Sequence, residues 1–85
     1  MKRIGKEVIL FGNDGCIYCV KTKEWLNENN IAYVEKDVSV NANSEELNKF
    51  NVPGIPLVVV IDKETNQRTL INGYLPSKLE KELLS

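Results

Sequence analysis

The sequence predicts an α/β domain built on a four-stranded mixed sheet flanked by helices, in the order βαβαββα. Two observations carry this reading. The β-type runs Lys6–Gly12 (KEVILFG) and 31–38 are separated by a helical stretch, which implies a parallel, right-handed βαβ unit. The later runs 57–61 and 68–71 are separated only by a turn, which implies an antiparallel hairpin. Eighty-five residues with short connections throughout make one domain, residues 1–85, with a single core.

Each element has its own signal. The first strand is β-branched and aromatic and stops at Gly12. Asn13-Asp14-Gly15 is turn chemistry, with Asp14 placed to cap a helix over 17–29. In that helix Tyr18, Thr22, Trp25, Leu26 and Asn29 fall at helical spacing. The second strand should put Ala32, Val34 and Val38 on one face and Tyr33 on the other. Asn43 or Ser44 opens a short helix through Glu45, Leu47 and Phe50, stopped by Pro53. Leu57-Val58-Val59-Val60-Ile61 reads as a fully buried strand, and 62–67 as the hairpin turn. After Gly73 comes an amphipathic helix with Leu75, Leu79, Leu83 and Leu84 recurring.

Composition excludes several classes of function. Eleven basic and twelve acidic residues give a net charge of −1 with no run of one sign, so the field that nucleic-acid binding needs is missing. The apolar run 55–61 is too short to span a membrane. The basic start at Met1, Lys2 and Arg3 is followed by an apolar stretch too short for a secretory leader. The expectation is a cytoplasmic monomer that touches neither nucleic acid nor membrane, where disulfides are transient and catalytic. With no histidine, the usual Cys-His and Ser-His nucleophile systems are excluded.

Cys16-Ile17-Tyr18-Cys19 is the informative motif. At the start of a helix the two sulfurs share a face and can close a small disulfide ring. Such a ring removes little unfolded-state entropy, so its value is chemical. Free N–H groups and partial positive charge at the helix start favour the Cys16 thiolate. Cys16 should attack, and Cys19, one turn inside and more buried, should resolve the mixed disulfide. A structural zinc site needs about four ligands, and two cysteines without histidine do not complete one.

Asn51-Val52-Pro53-Gly54-Ile55-Pro56 is the second motif. Pro56 stands immediately before a strand that must be interior, where proline is normally excluded. A cis Ile55–Pro56 bond would admit the strand; a trans loop proline is the plain alternative. Trp25, Phe11 and Phe50 read as core, and Glu35, Lys36 and Asp37 as a solvated strand edge.

With these residues in place, the chain resembles the glutaredoxin branch of the thioredoxin fold over essentially its whole length. The matching pieces are the strand ending in Val8-Ile9-Leu10-Phe11, Cys16-Ile17-Tyr18-Cys19, Gly54-Ile55-Pro56, and Gly73-Tyr74 before the last helix. The resemblance implies a thiol–disulfide oxidoreductase with no bound cofactor, acting on protein disulfides or glutathione mixed disulfides. It implies that Cys16 and Cys19 are catalytic, and that Pro56 is the family's cis-proline packed against the active-site disulfide. It further implies that Tyr18, Lys21, Ile55, Pro56, Gly73 and Tyr74 form the glutathione or substrate groove, with the Ile55 backbone pairing in β-like fashion. An alternative implied by some glutaredoxins is a carrier that binds a 2Fe–2S cluster between two subunits with glutathione, although the motifs most associated with that role differ from Cys-Ile-Tyr-Cys.

Departures from the family pattern bear on the electron donor. Ile17 replaces the usual proline, and Asn13 stands where many members have a lysine for a glutathione carboxylate. Asn72-Gly73-Tyr74-Leu75 lacks one glycine and the acidic residue of the family's Gly-Gly motif, and Lys21 is the charge that compensates. The tail 72–79 is more similar to redoxins that serve ribonucleotide reductase and are recharged by thioredoxin reductase. Glutathione and thioredoxin reductase are both therefore expected donors. True thioredoxin matches less well, since Gly15 and Leu10 stand where that family has tryptophan and a buried acid.

Overall fold

The computed structural model of the chain describes residues 5–84. The basic start at Met1, Lys2 and Arg3 lies outside them. The elements are β1 (Lys6–Gly12), α1 (Ile17–Glu28), β2 (Val34–Asp37), α2 (Asn41–Asn48), β3 (Leu57–Asp62), β4 (Arg68–Asn72) and α3 (Pro76–Leu83). They form one mixed sheet in the order β2-β1-β3-β4. β1 runs parallel to β2 and antiparallel to β3, and β3 pairs antiparallel with β4. Among the described residues no helix is long and apolar enough to cross a membrane.

The central strands are buried on both faces, and their alternation feeds two cores. Val8, Leu10, Val58, Val60 and Ile71 face α1 and α3, meeting Leu26 and Leu79. Phe11, Leu57 and Val59 face the other way, toward Leu47 of α2 and toward Phe50 and Val52. There the Phe11 and Phe50 rings pack with centroids 5.8 Å apart, and the Arg68 guanidinium lies 5.6 Å from the Phe50 centroid.

Several local expectations are corrected. In α1 the inward residues are Cys19, Thr22 and Leu26; Thr22 and Leu26 lie on the expected face, whereas Tyr18 is 56% exposed. Thr22 is buried at no polar cost because its hydroxyl donates to the Tyr18 carbonyl. Asp14 does not cap α1; the N-cap is Cys16 itself. β2 begins at Val34 rather than 31, because 29–31 close α1: Asn30 N–H bonds to Asn27 O and Ile31 N–H to Leu26 O, with Asn30 at φ 57°. That is a Schellman-type stop, which Asn tolerates better than most residues. Ile31 and Tyr33 then pack on the α1 side, while Val38 packs on the opposite face and Val34 is exposed on the sheet edge, so Tyr33 and Val38 fall on opposite faces as expected.

α2 opens at Asn41 behind an uncapped Val40, earlier than Asn43 or Ser44. The turn before it is fixed by Asp37, whose carboxylate accepts from the Ser39 N–H and hydroxyl, and the Asn43 amide donates to the Asp37 carbonyl. Phe50 lies beyond the helix end. In α3, Pro76 supplies the first turn, Leu79 and Leu83 face the core, and Leu75 and Leu84 are exposed.

Candidate active site

The site is assembled at one end of the central strand pair. Beyond the Phe11–Leu57 pairing stand Gly12 on β1 and Pro56 ahead of β3. The chain leaves Gly12 through a turn that holds itself. The Asn13 side-chain oxygen accepts from Gly15 N–H at 2.9 Å, and the Asn13 carbonyl accepts from Cys16 N–H at 3.2 Å. This delivers Cys16 to the N-cap of α1 with extended backbone (φ −102°, ψ 114°).

There the Cys16 sulfur does the work of a capping oxygen, accepting from the Cys19 N–H at 3.2 Å. A partly exposed sulfur thus sits against the free N–H groups of a helix start, where negative charge is favoured. Cys19 is 1% exposed. Its sulfur lies so close to the Gly12 backbone that a Cβ there would stand 2.8 Å from it, which only glycine avoids. Burial pushes the Cys19 thiol up to about 12, helped by its hydrogen bond and charge interaction with Cys16, while the Asn13 backbone N–H and the Lys23 charge act the other way. Lys23 itself bridges Asp14 at 3.2 Å and Glu35 at 2.9 Å. The two carboxylates, Glu35 first, raise its affinity for the proton.

The second half of the site is the proline loop. The Ile55–Pro56 bond is cis and Pro56 is fully buried. The Pro56 carbonyl accepts from Gly73 N–H at 2.8 Å, with Gly73 at φ 105°, a conformation open to glycine. The Asn72 side-chain amide donates to Gly54 O at 2.8 Å and to Pro56 O at 3.1 Å. Among the described residues neither the N–H nor the C=O of Ile55 has a hydrogen-bond partner.

The structure therefore brings Cys16 and Cys19 together through Gly12 and Asn13, and joins Ile55, Pro56 and Gly73 through Asn72. Tyr18 stands exposed next to Cys16 in sequence, with Ile17, 61% exposed, beside it. Tyr74 is partly buried. Lys21 is exposed on α1 and makes no hydrogen bond or ion pair among the described residues. Sequence reasoning missed what Gly12, Asn13, Lys23 and Asn72 do. Asn13 had a turn signal, and a glycine ending a buried strand was a signal for Gly12. Nothing local pointed to Asn72.

The glutaredoxin family model matches residues 8–65. The chain belongs to the glutaredoxin family. Among solved structures, this glutaredoxin-family chain is similar to a thioredoxin-like protein at 32% identity, covering 92% of this chain and all (100%) of that one, with a TM-score of 0.70. It shares its fold with the glutaredoxin of Archaeoglobus fulgidus (20% identity, 93% and 87% of the two chains, TM-score 0.76). It also shares its fold with the Escherichia coli glutaredoxin-like protein NrdH-redoxin (17%, 88% and 92%, TM-score 0.74). No curated protein matches it. Family and neighbours together make it a thiol–disulfide oxidoreductase of the thioredoxin fold, and its cysteine pair is arranged for that chemistry.

Proposed function

We propose that this chain reduces disulfides of proteins, and mixed disulfides of glutathione, by a two-step exchange. The Cys16 thiolate attacks one sulfur of the substrate disulfide and displaces the other as a thiolate, leaving a Cys16–substrate mixed disulfide. Cys19, as thiolate, then attacks the Cys16 sulfur, closing the Cys16–Cys19 bond and releasing the second substrate thiolate. Two electrons pass from the protein dithiol to the substrate, and solvent takes and supplies the protons. The observation that carries this reading is the asymmetry of the pair, with Cys16 partly exposed at the helix cap and Cys19 buried one turn in.

Of the three positions that depart from the glutathione-binding pattern, Asn13 and Asn72 are occupied internally, and Leu75 is exposed and uncharged. Asn13 spends its oxygen on Gly15, and Asn72 its amide on Gly54 and Pro56. Lys23 is engaged by two carboxylates, which leaves Lys21 as the exposed cation of α1 nearest the motif. Glutathione presents two carboxylates and one ammonium, so each missing charge-assisted bond costs about 1.5–3 kcal/mol, or roughly tenfold or more in affinity. Glutathione is therefore a weak donor here and thioredoxin reductase a competing one. The solved neighbour described as having a thioredoxin-like activity profile supports testing that donor. The work suits a reducing compartment such as the cytoplasm.

The test is turnover of one mixed-disulfide substrate with glutathione and its reductase, against turnover with thioredoxin reductase, with the disulfide form of a ribonucleotide reductase as a second substrate. Strong saturation by low glutathione, with no response to thioredoxin reductase, would overturn the donor assignment. No exchange with any of these substrates would overturn the function.

A further inference from the structure

Asn72 was read from the sequence only as a missing glycine, yet its side chain is a link between β4 and the proline loop, beside the Gly73 to Pro56 backbone bond. It is the last residue of β4, paired in register with Leu57. Both protons of its amide are spent on carbonyls, Gly54 O at 2.8 Å and Pro56 O at 3.1 Å. Those carbonyls belong to the residues on either side of Ile55. The bracketed residue has its own N–H and C=O unpaired among the described residues. An unpaired donor and acceptor on one residue at the head of a strand is what a strand-like peptide pairs with.

We propose that Asn72 is a positioning residue for polypeptide substrates: by clamping the carbonyls that flank Ile55, it holds that backbone in register for an extended segment beside the target disulfide. This rests on the disulfide-reducing function proposed above and adds a specificity to it. A small disulfide needs only Cys16 and Cys19 and gains nothing from an ordered Ile55. A peptide must otherwise find the loop ordered or order it on binding, which costs affinity.

The experiment uses pre-reduced full-length protein in single-turnover mixing with two substrates, a disulfide-linked decapeptide and 2-hydroxyethyl disulfide. Asn72→Asp keeps the shape but removes the donors, and Asn72→Ser vacates the site without a charge. For either variant we expect the rate constant at low peptide concentration to fall about tenfold, through a higher half-saturation concentration rather than a lower maximal rate. Reaction with the small disulfide should stay within about twofold. Equal loss on both substrates, or no loss on either, overturns the role of Asn72. Wild-type protein that reacts with neither overturns the proposed function as well. Should both variants fail to fold, wild type decides. The Asn72 side-chain N–H protons should exchange more slowly than those of exposed Asn51, and the Ile55 amide should become protected in the peptide mixed disulfide. Unprotected protons at both places overturn the proposal.

Discussion

The two halves of the active-site end are held in different ways. In the thiol half the bonds are local: Asn13 to Gly15, Asn13 to Cys16 and Cys16 to Cys19 each join residues two or three positions apart. The proline half is held across the chain, by Asn72 reaching 18 positions to Gly54 and 16 to Pro56. The first can close as soon as α1 forms; the second exists only once β4 has paired with β3. The nucleophile's surroundings are thus nearly autonomous, whereas the surface offered to substrate depends on the sheet.

The largest expected effect separates the chemistry from the scaffold inside the thiol half. Cys16→Ser should abolish exchange with every substrate. Cys19→Ser should keep the first attack and accumulate a mixed disulfide, visible by mass spectrometry as the protein plus one substrate half. Trapping by Cys16→Ser instead would reverse the assigned order. Folding of Cys16→Ser should stay close to wild type by circular dichroism, since Cys16 is a cap and serine caps well.

Gly12 is the strand end against which the buried cysteine packs, and its substitution is next in size. Gly12→Ala sets a methyl 2.8 Å from the Cys19 sulfur and 3.0 Å from its Cβ, so that strand or helix must shift. Overpacking of this kind costs about 1–3 kcal/mol, read from urea denaturation. Cys19→Ala in the Gly12→Ala background removes the sulfur and should recover part of the loss. Strict additivity of the two substitutions would show that the contact does not matter.

The same division explains what the sequence disclosed. The strands 6–12 and 57–62 were legible because they are continuous apolar runs, and Cys16 and Cys19 because their spacing at a helix start has few other uses. Asn13 was half legible, as a turn residue whose partners lie within three positions. Asn72 was not, because an amide's partners 16 and 18 residues away leave no trace in local pattern. The start of β2 was misplaced for a related reason. β2 is an edge strand of only four residues, and its start was decided by the Schellman stop of α1 ahead of it rather than by its own apolar run.

A smaller effect tests the burial that makes the cysteines unequal. The Cys19 thiol is raised from an ordinary 9.0 to about 12, chiefly by desolvation. The folded state therefore holds this proton where the unfolded chain releases it. The contribution is fully present below about pH 9 and is lost as pH rises from there toward 12. Stability of wild type minus that of Cys19→Ala should fall across that window, by at most about 1.4 kcal/mol per pH unit. Subtracting the variant cancels the contributions common to both proteins. A flat difference curve would mean that Cys19 is better solvated than its 1% exposure indicates.

The smallest effect bears most directly on the autonomy of the thiol half. Lys23 is the one long-range side-chain ionic tether seen for the turn ahead of Cys16 among the described residues, joining Asp14 to Glu35 on β2. Yet Asp14 is 87% exposed and Glu35 38%, so water and salt screen both pairs. Glu35 and Asp14 raise the lysine's proton affinity, so the charge persists through neutral and moderately alkaline pH, and any stability it brings is lost only when pH climbs through the raised value. Exposed pairs of this kind contribute about 0.2–1 kcal/mol. Lys23→Met should therefore cost under about 1 kcal/mol, less still at high salt, and leave Cys16 reactivity toward a small disulfide nearly unchanged. A loss beyond about 2 kcal/mol, together with slowed attack by Cys16, would mean that the turn leans on β2 through Lys23. The thiol half would then be no more self-contained than the proline half, because its local bonds would need a strand contact 12 positions away to hold them.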